Sequence, residues 1–329
     1  MTEPPVGHVA VIIPHYTCEP GILTRTLRHV FAQRQAPPIH VILVDDESPI
    51  SAESEIEPLP ESQRAAISIV HRRNGGTAKA RNSGLEAVGD GAAYIALLDC
   101  DDMWHEDHLS GAIAAMALDC DFFFANNRRE RAEHDWFALC GFSALDHTPI
   151  DTPRGLYRVR GDLFTTILVK APICGSTVVM RRDTFAAFRF NEDMGTCDDL
   201  YFWLEVVRHT DKIGFSPREH TLMGDAINQS VIDDWRSEKA LRAAYSALMF
   251  AVRVRRDFAL TPEQTKIVRN IVTTERKRFL TIAFSLVIRG IRFDHAVVSR
   301  CAKSDLGIWR VLPALIVQWL VRPFRTQIG

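Results

Sequence analysis

The feature that most constrains the fold is an alternation of short apolar runs with segments of helical periodicity. The runs are rich in β-branched side chains, which is typical of strands buried on both faces of a sheet. The segments between them repeat apolar residues three or four positions apart, as an amphipathic helix does. The predicted strands cover residues 9–13, 39–44, 67–70, 94–98, 121–124 and 176–180, and the predicted helices cover 23–33, 77–88, 107–118 and a segment from Arg182.

Strands and helices that alternate with short connections predict a mostly parallel α/β sheet flanked by helices. Ligands of such sheets gather at the carboxyl ends of the strands. Polar clusters follow three of the predicted strands, at residues 14–16, 45–46 and 99–102, so we expect them to meet at one edge. Residues 128–160 are mixed and charged, and are predicted to form a loop region.

The charge of the chain is unevenly distributed. Its 329 residues have an ordinary globular composition and a net charge of −2. From residue 235 onward there are 18 Lys and Arg against 6 Asp and Glu, whereas the preceding residues hold 21 basic and 35 acidic side chains. This asymmetry predicts two differently employed segments, an α/β domain at 1–235 and a basic helical region at 236–329.

Cysteine usage and the absence of targeting signals indicate a cytoplasmic protein. The seven cysteines are widely spaced and include no CxxC pair, which argues against a disulfide framework or a zinc site. The first residues lack the basic and apolar regions of a signal peptide. No apolar run reaches the roughly 18–20 residues that span a bilayer. We therefore expect a reducing, cytoplasmic location.

Three carboxylates crowd the end of the fourth predicted strand, at Asp99, Asp101 and Asp102. Like charges this close are unfavourable unless a cation lies among them. Oxygen ligands suit Mg²⁺ or Mn²⁺, which in turn suit a phosphate-bearing substrate. The alternative is an acidic turn before the next helix, since Glu106 and Asp107 continue the charge. The triplet alone leaves both interpretations open.

Four elements of the chain occur in an order that is informative as a set. They are residues 13–16 (Ile-Pro-His-Tyr), 44–48 (Val-Asp-Asp-Glu-Ser), 74–84 (with Asn-Gly-Gly at its start) and 97–102 (Leu-Leu-Asp-Cys-Asp-Asp). In order and spacing this series resembles family 2 glycosyltransferases, inverting enzymes of the GT-A fold that use nucleotide-sugar donors. The resemblance covers roughly residues 8–235.

The resemblance implies a nucleotide-binding role for four residues. Pro14 and Tyr16 would lie at the nucleotide, with the Tyr16 ring against the uracil face. Asp45 would accept a hydrogen bond from the base, and Arg81 would bind the diphosphate through charge-assisted bonds. The alternatives are a turn-forming carboxylate at Asp45 and a helix-surface ion pair between Arg81 and an acid such as Glu86.

The resemblance also divides the acidic triplet. Asp99 would contact the ribose or sugar, and Asp101 would coordinate the Mn²⁺ or Mg²⁺ that bridges the two phosphates. Asp102 would contact the donor sugar or cap the following helix. A further metal ligand is implied near His220 or Asp225. The alternative for His220 is an ordinary core or surface histidine.

An inverting transfer needs a base that takes the proton of the acceptor hydroxyl. Asp198 and Asp199 resemble the family's Glu-Asp base motif at the start of a helix, with Asp198 in place of the usual Glu. Asp199 matches the base itself. The alternative is that both acids favour a helix N-terminus through its dipole. Glu192 and Asp193 are the reserve candidates for the base.

The basic C-terminal region suggests a membrane contact. Arg253, residues 276–278, Trp309, Trp319 and Arg322 accompany apolar helical segments, a pattern typical of elements that lie on a membrane surface. A lipid-linked saccharide at the inner face of the cell membrane would then be the acceptor. The alternative is a helical subdomain with solvated arginines. Nucleic-acid binding is not expected, because no reading surface is apparent.

The expected activity is metal-dependent transfer of a hexose, glucose from UDP-glucose, onto a saccharide acceptor. The residues up to 19–23 (Glu-Pro-Gly-Ile-Leu) are similar to bacterial exopolysaccharide glucosyltransferases of the succinoglycan type. Two alternatives stay open: a metal-dependent phosphohydrolase that acts on nucleotide sugars, and a catalytically silent nucleotide-sugar-binding module. A dinucleotide oxidoreductase is not expected, because no GxGxxG follows the first strand.

Overall fold

A computed structural model describes residues 7–224 and 234–313 of the chain. Within these residues the chain forms two compact units. The first comprises residues 7–192 and 198–224, and the second comprises 193–197 and 234–313. Asp225, Trp319 and Arg322, which were singled out in the sequence, lie outside the described residues.

The first unit is built on a ten-stranded sheet with nine helices. Its strands are β1 (His8–His15), β2 (Ile39–Asp45), β3 (Ile67–His71), β4 (Ala92–Leu97), β5 (Met103–Trp104), β6 (Phe122–Arg129), β7 (Thr148–Asp151), β8 (Leu156–Arg158), β9 (Val179–Arg181) and β10 (Ile213–Met223). Its helices are α1 (Ile22–Phe31), α2 (Ala52–Ile56), α3 (Glu61–Arg64), α4 (Thr77–Glu86), α5 (His108–Ala117), α6 (Trp136–Cys140), α7 (Leu163–Lys170), α8 (Arg182–Phe185) and α9 (Asp198–His209).

The strand order is β3-β2-β1-β4-β9-β6-β10-β8-β7, and β5 pairs with β10. The strands β1 to β4 are mutually parallel, β9 runs antiparallel between β4 and β6, and β10 is parallel to β6. Seven of the ten strands therefore run in one direction, and only β5, β8 and β9 oppose them. The predicted α/β fold with a mostly parallel sheet is confirmed.

Helix α4 lies unusually close to the sheet, and this contact sets the position of the site. A Cβ at Gly84 would lie 2.3 Å from Cγ2 of Ile12 on β1, so only glycine permits this approach. The helix begins after Gly76, whose φ of +87° falls in the left-handed region. The side chains of its first turns are thereby brought to the carboxyl edge of the central strands.

Three parts of the chain differ from the sequence-based prediction. Residues 176–180 were predicted as one strand, but Gly175–Thr177 forms a 3₁₀ turn and only Val179–Arg181 pairs. The predicted loop region 128–160 contains α6 and the β7–β8 hairpin. Strand β10 was missed because Gly214 and Pro217 interrupt its apolar pattern and its register shifts after Ser216.

The second unit is helical. Its helices are α10 (Glu238–Asp257), α11 (Pro262–Ile288) and α12 (His295–Ser304). Helix α11 starts with a capping box, in which Thr261 and Gln264 satisfy each other's backbone N–H groups. Arg276 of α11 forms a buried bidentate ion pair with Asp305, 2.5 and 2.6 Å long. Among the described residues, no helix combines the length and apolarity that crossing a bilayer requires.

Candidate nucleotide-sugar site

Arg81 of α4 lies between carboxylates from two other parts of the first unit. Its Nη2 donates to Asp99 Oδ1 at 2.8 Å, just after β4, and its Nη1 donates to Asp198 Oδ2 at 3.4 Å, at the start of α9. The guanidinium also lies 5.2 Å from the centroid of the Phe190 ring. Arg81 therefore makes a buried contact with Asp198 and a partly buried one with Asp99, in place of the alternative surface ion pair with Glu86.

The charge of this guanidinium is secured by its neighbours. Arg81 is only 5% exposed, and burial alone would lower its pKa. The carboxylates of Asp99, Asp198 and Asp199 outweigh this effect, so the pKa of Arg81 is raised. The cluster therefore carries a permanent cation among several acids, at the sheet edge where a phosphate-bearing ligand is expected.

Asp198 and Asp199 open helix α9, as the sequence predicted. Burial raises the pKa of Asp198, although Arg81 opposes the shift. Burial and the neighbouring Asp198 together raise the pKa of Asp199 to about 7. Asp199 Oδ1 accepts a hydrogen bond of 2.7 Å from the N–H of Leu200. A half-buried carboxyl group that titrates near neutral pH has the proton affinity that a general base needs.

The acidic triplet combines one exposed and one buried carboxylate. The Asp99 side chain is 40% exposed, and its backbone N–H donates to the Ser176 hydroxyl at 3.0 Å. Asp102 is 2% exposed, and its Oδ1 accepts a 2.9 Å hydrogen bond from the N–H of Gly224. Burial, followed by the charges of Asp99 and Asp101, raises the pKa of Asp102 well above its ordinary value.

One carboxylate oxygen of the triplet, Asp102 Oδ2, is buried without a hydrogen-bond donor among the described residues. A buried carboxylate oxygen without a donor is costly unless a cation or a proton satisfies it. Oxygen donors from Asp99, Asp101 and Asp102 are the ligand type that Mg²⁺ and Mn²⁺ prefer. The residue types of the triplet suit a divalent cation, but among the described residues no three His, Cys, Asp or Glu side chains are grouped so as to hold one, and the metal site stays a prediction.

The two acids at the end of β2 hold the neighbouring loops. Asp45 Oδ1 accepts from the N–H of Ser48 at 2.8 Å, and its Oδ2 accepts from Ala52 at 3.0 Å. These bonds are those of the turn-forming role that we weighed for Asp45, and they leave each oxygen one further lone pair for a ligand. The predicted contact of Asp45 with a base stays a prediction.

Asp46 was not singled out in the sequence, yet it organises the start of α4. Its carboxylate accepts from the N–H groups of Gly75 at 3.1 Å and Gly76 at 2.9 Å, and it pairs with Arg72. Asp46 is 4% exposed, so this anchor is largely shielded from water. The signal that could have revealed it is an acid at a strand end combined with a later Gly-Gly, whose free N–H groups need an acceptor.

Pro14 and Tyr16 follow the apolar part of β1. Pro14 pairs with Val44 of β2 in the parallel register, so its position is fixed by the sheet. Tyr16 comes directly after the strand and is 37% exposed, which leaves part of its ring open to a ligand. Their predicted roles at the nucleotide are compatible with these positions.

The reserve candidates for the base have other partners. Asn82 of α4 exchanges two hydrogen bonds with the backbone of Phe190 and donates a third to Glu192 at 3.1 Å. In the second unit, Asp193 pairs with Arg253 at 2.9 Å. Asn82 lies in the predicted helix 77–88 and in the family-like segment 74–84, but the sequence pattern assigned it no role of its own. It ties α4 to the segment that precedes α9.

His220 requires a correction. Its ring lies 3% exposed on β10, with Nε2 2.9 Å from the Ser216 hydroxyl, and it packs against His108 and Phe123. Burial lowers the pKa of His220 to about 4. The charged neighbours of the ring are His105, Asp107 and Arg218, none of which belongs to the acidic triplet. We therefore do not assign His220 to the metal site, and the alternative of a core histidine describes it.

Comparison with known proteins identifies the family. Residues 10–185 match the model of the family described as glycosyl transferase family 2. The chain belongs to this family. The matched region contains Asp45, Arg81 and the acidic triplet, whereas Asp198 and Asp199 lie beyond its end. The family match therefore covers the part of this glycosyltransferase that is predicted to bind the nucleotide. The prediction of Asp198 and Asp199 as base residues is supported instead by the charges they share with Arg81.

Two curated relatives are similar to this glycosyltransferase. The succinoglycan biosynthesis protein ExoW of Rhizobium meliloti (strain 1021) is 26% identical over 316 residues, which cover 92% of this chain and 99% of ExoW. The uncharacterized glycosyltransferase EpsJ of Bacillus subtilis (strain 168) is 34% identical over 97 residues, 29% of this chain and 26% of EpsJ. The similarity to ExoW thus extends over nearly the whole chain.

Solved structures with the same fold include two complexes with nucleotides. S. aureus TarS 1-349 in complex with UDP matches with a TM-score of 0.56 and 16% identity, covering 82% of this chain and 72% of TarS 1-349. The mannosyltransferase PcManGT from Pyrobaculum calidifontis, in complex with GDP-Man and Mn²⁺, matches with a TM-score of 0.54 and 17% identity, covering 97% and 82%. At this identity the likeness establishes the GT-A fold.

Proposed function

We propose that this glycosyltransferase is an inverting, metal-dependent hexosyltransferase that uses a UDP-sugar. UDP-glucose is the proposed donor, and a lipid-linked saccharide of an exopolysaccharide repeat unit is the proposed acceptor. The observation that carries the proposal is the cluster in which Arg81 contacts both Asp99 and Asp198, beside Asp199. The similarity to ExoW, a succinoglycan biosynthesis protein, and the UDP complex of TarS support the acceptor class and the nucleotide.

In this proposal the nucleotide lies along the carboxyl edge of β1 and β2. Tyr16 covers one face of the uracil, beside Pro14, and Asp45 accepts from the base N–H with its remaining lone pairs. Arg81 attracts the diphosphate, because its charge persists although three acids surround it. Asp46 holds the Gly75–Gly76 loop in place beside the nucleotide.

Asp99, Asp101 and Asp102 would hold the divalent cation, Mn²⁺ or Mg²⁺. When bound, such an ion neutralises the charge that develops on the departing nucleoside diphosphate. The buried Asp102 Oδ2 without a hydrogen-bond partner among the described residues supports this assignment. Asp99 is also bound by Arg81, which suits the role of a sugar or ribose contact.

Asp199 is the proposed base. It takes the proton of the acceptor hydroxyl as that oxygen forms a bond to the anomeric carbon of the hexose. The bond from this carbon to the diphosphate oxygen breaks at the same time, and attack from the opposite side inverts the anomeric configuration. A pKa of about 7 makes Asp199 a stronger proton acceptor than an ordinary carboxylate. Asp198 contacts Arg81 and positions the start of α9.

We further propose that the two parts of the chain have different functions. Residues 1–235 form the catalytic domain, and residues 236–329 form a basic helical region that touches the inner face of the cell membrane, so that the protein is cytoplasmic and peripheral. The excess of basic residues after residue 235 supports this role, because anionic lipids attract such segments.

The test is transfer by the purified full chain from labelled UDP- and GDP-hexoses to lipid-linked saccharides, with Mn²⁺, Mg²⁺ or a chelator. We expect Mn²⁺- or Mg²⁺-dependent transfer from UDP-glucose, which Asp199→Asn lowers by about 10²- to 10⁴-fold and the control Glu106→Gln retains. Glu106 is exposed and pairs with Arg34, which is not part of the cluster. Phosphate release without an acceptor would instead identify a phosphohydrolase, and UDP binding without turnover would identify a silent module.

A further inference from the structure

The turn between α11 and α12 exposes apolar side chains in a basic setting. Val287, Ile288 and Ile291 are 60%, 61% and 39% exposed. Arg289 and Arg292, which alternate with them, are exposed as well. We call residues 287–292 the basic–apolar tip. A monomeric surface seldom gathers three large aliphatic side chains within five residues, so this tip is a candidate contact surface.

The conformation of the tip is fixed by hydrogen bonds. The N–H of Gly290 donates to Val287 O and the N–H of Ile291 donates to Leu286 O, both at 3.0 Å, which together form a Schellman motif. Gly290 has a φ of +66°, which favours glycine at this position. Leu286 and Phe293, on either side of the tip, are buried in the second unit. The apolar side chains are therefore presented outward by a firmly held turn.

Both charged side chains of the tip are basic, and the acid nearest to them in the chain, Asp294, forms ion pairs with Arg242 and Arg300. Residues 276–293 contain five basic side chains and no Asp or Glu. Arg276 is committed to Asp305 inside the unit, so it does not contribute to the surface. Arg289 and Arg292 are left at the tip itself. Aliphatic side chains flanked by arginines are complementary to an anionic bilayer, whose head groups attract the arginines and whose acyl region accepts the apolar groups.

From this arrangement we propose that the basic–apolar tip docks onto an anionic membrane surface by inserting Val287, Ile288 and Ile291. The proposal rests on the peripheral membrane contact included in the proposed function, and it names the element that makes this contact. It differs from the pattern in the sequence, which pointed to Arg253, residues 276–278, Trp309, Trp319 and Arg322. Arg253 and Arg276 instead form ion pairs within the second unit.

The test is cosedimentation of the full chain with vesicles of phosphatidylcholine alone or mixed with phosphatidylglycerol. We expect binding to the mixed vesicles only, weakening as salt is raised. The double variant Ile288→Asp, Ile291→Asp should lower the partition constant at least tenfold. Arg289→Gln and Arg292→Gln should each lower it about fivefold. The control Leu145→Asp changes a leucine that is 95% exposed in the first unit and should bind as the parent does.

A variant that binds vesicles more tightly than the parent distinguishes a docking role of the tip from loss of binding through misfolding. Ile288→Trp should bind the mixed vesicles more tightly than the parent, since tryptophan favours the membrane interface. A parent that does not bind, or tip variants that bind as well as the parent, would overturn the proposal. No sugar nucleotide is present in this experiment, so failure of glucosyl transfer and failure of the tip are distinguished.

Discussion

Arg81 Nη1 lies 3.4 Å from Asp198 Oδ2, although 117 positions separate the two residues in the chain. The contact joins the first turns of α4 to the N-terminus of α9, and both side chains are less than 10% exposed. Buried ions require close partners, because the cost of removing them from water is otherwise uncompensated. The pair therefore couples the proposed diphosphate-binding arginine to the helix that carries the proposed base.

Replacing Arg81 should affect both stability and activity. Arg81→Ala leaves Asp198 buried without its cation, and we expect a loss of about 3 kcal/mol in the free energy of unfolding. Transfer should be lost as well. Urea unfolding and initial rates would measure the two effects. The control Arg34→Ala breaks an exposed ion pair with Glu106 and should cost less than about 1 kcal/mol. Equal losses for the two variants would contradict the buried-pair interpretation.

The pH dependence of transfer should report on Asp199. The base acts in its deprotonated form, so kcat should rise with pH and reach half of its plateau near pH 7. Asp199→Asn should lower kcat by about 10²- to 10⁴-fold and remove this step from the profile. A profile that is flat between pH 5 and 8 in the parent would argue against Asp199.

Asp199→Asn should also stabilise the folded protein. A loss of activity in this variant could then not be explained by misfolding. Because the pKa of Asp199 is raised in the folded state, that state binds the proton more tightly than the unfolded chain does. Stability therefore falls as pH rises from about 4 to about 7. Asp199→Asn removes this penalty, so at pH 8 it should be more stable than the parent by up to about 4 kcal/mol. Thermal melts at pH 5 and pH 8 would measure the difference.

Replacing the buried Asp102 should stabilise the metal-free protein but weaken the stabilisation that metal binding provides. Asp102→Asn keeps an oxygen for the N–H of Gly224 and removes a charge that burial disfavours, so the metal-free protein should become more stable above about pH 5. The rise in Tm that Mn²⁺ with UDP produces should shrink in Asp102→Asn and Asp101→Asn. The control Glu106→Gln should keep the full response. An undiminished response in both triplet variants would exclude a metal site here.

Asp46 should contribute to nucleotide binding without taking part in the chemical step. Asp46→Ala removes the acceptor of two backbone N–H groups and leaves Arg72 unpaired, so it should cost about 3 kcal/mol of stability. The KM for the nucleotide sugar should rise more than kcat falls, because the loop beside the nucleotide loosens. Asp46→Asn keeps one acceptor oxygen and should recover part of this KM. Steady-state kinetics on the two variants would show whether it does.

Periodicity alone was enough to predict the strands that β-branched residues fill completely. Residues 9–13 and 39–44 lie within β1 and β2, since short apolar runs rich in β-branched residues favour strands that are buried on both faces of a sheet. Strand β10 escaped prediction because its residues contact β6 with register shifts that no local pattern records. The 3₁₀ turn at Gly175–Thr177 was likewise mistaken for strand, because Thr177 and the valines that follow it favour strands.

The sequence by itself determined the α/β class, the order of motifs and the residue types of the candidate site. Asp99, Arg81 and Asp198 could each be named from local pattern and family resemblance. Only the tertiary structure decided that they meet, that Asp46 anchors the glycine loop, and that His220 belongs to the core. The reason is physical: hydrophobic periodicity is written into neighbouring residues, whereas the pairing of buried charges depends on which strand ends the sheet brings together.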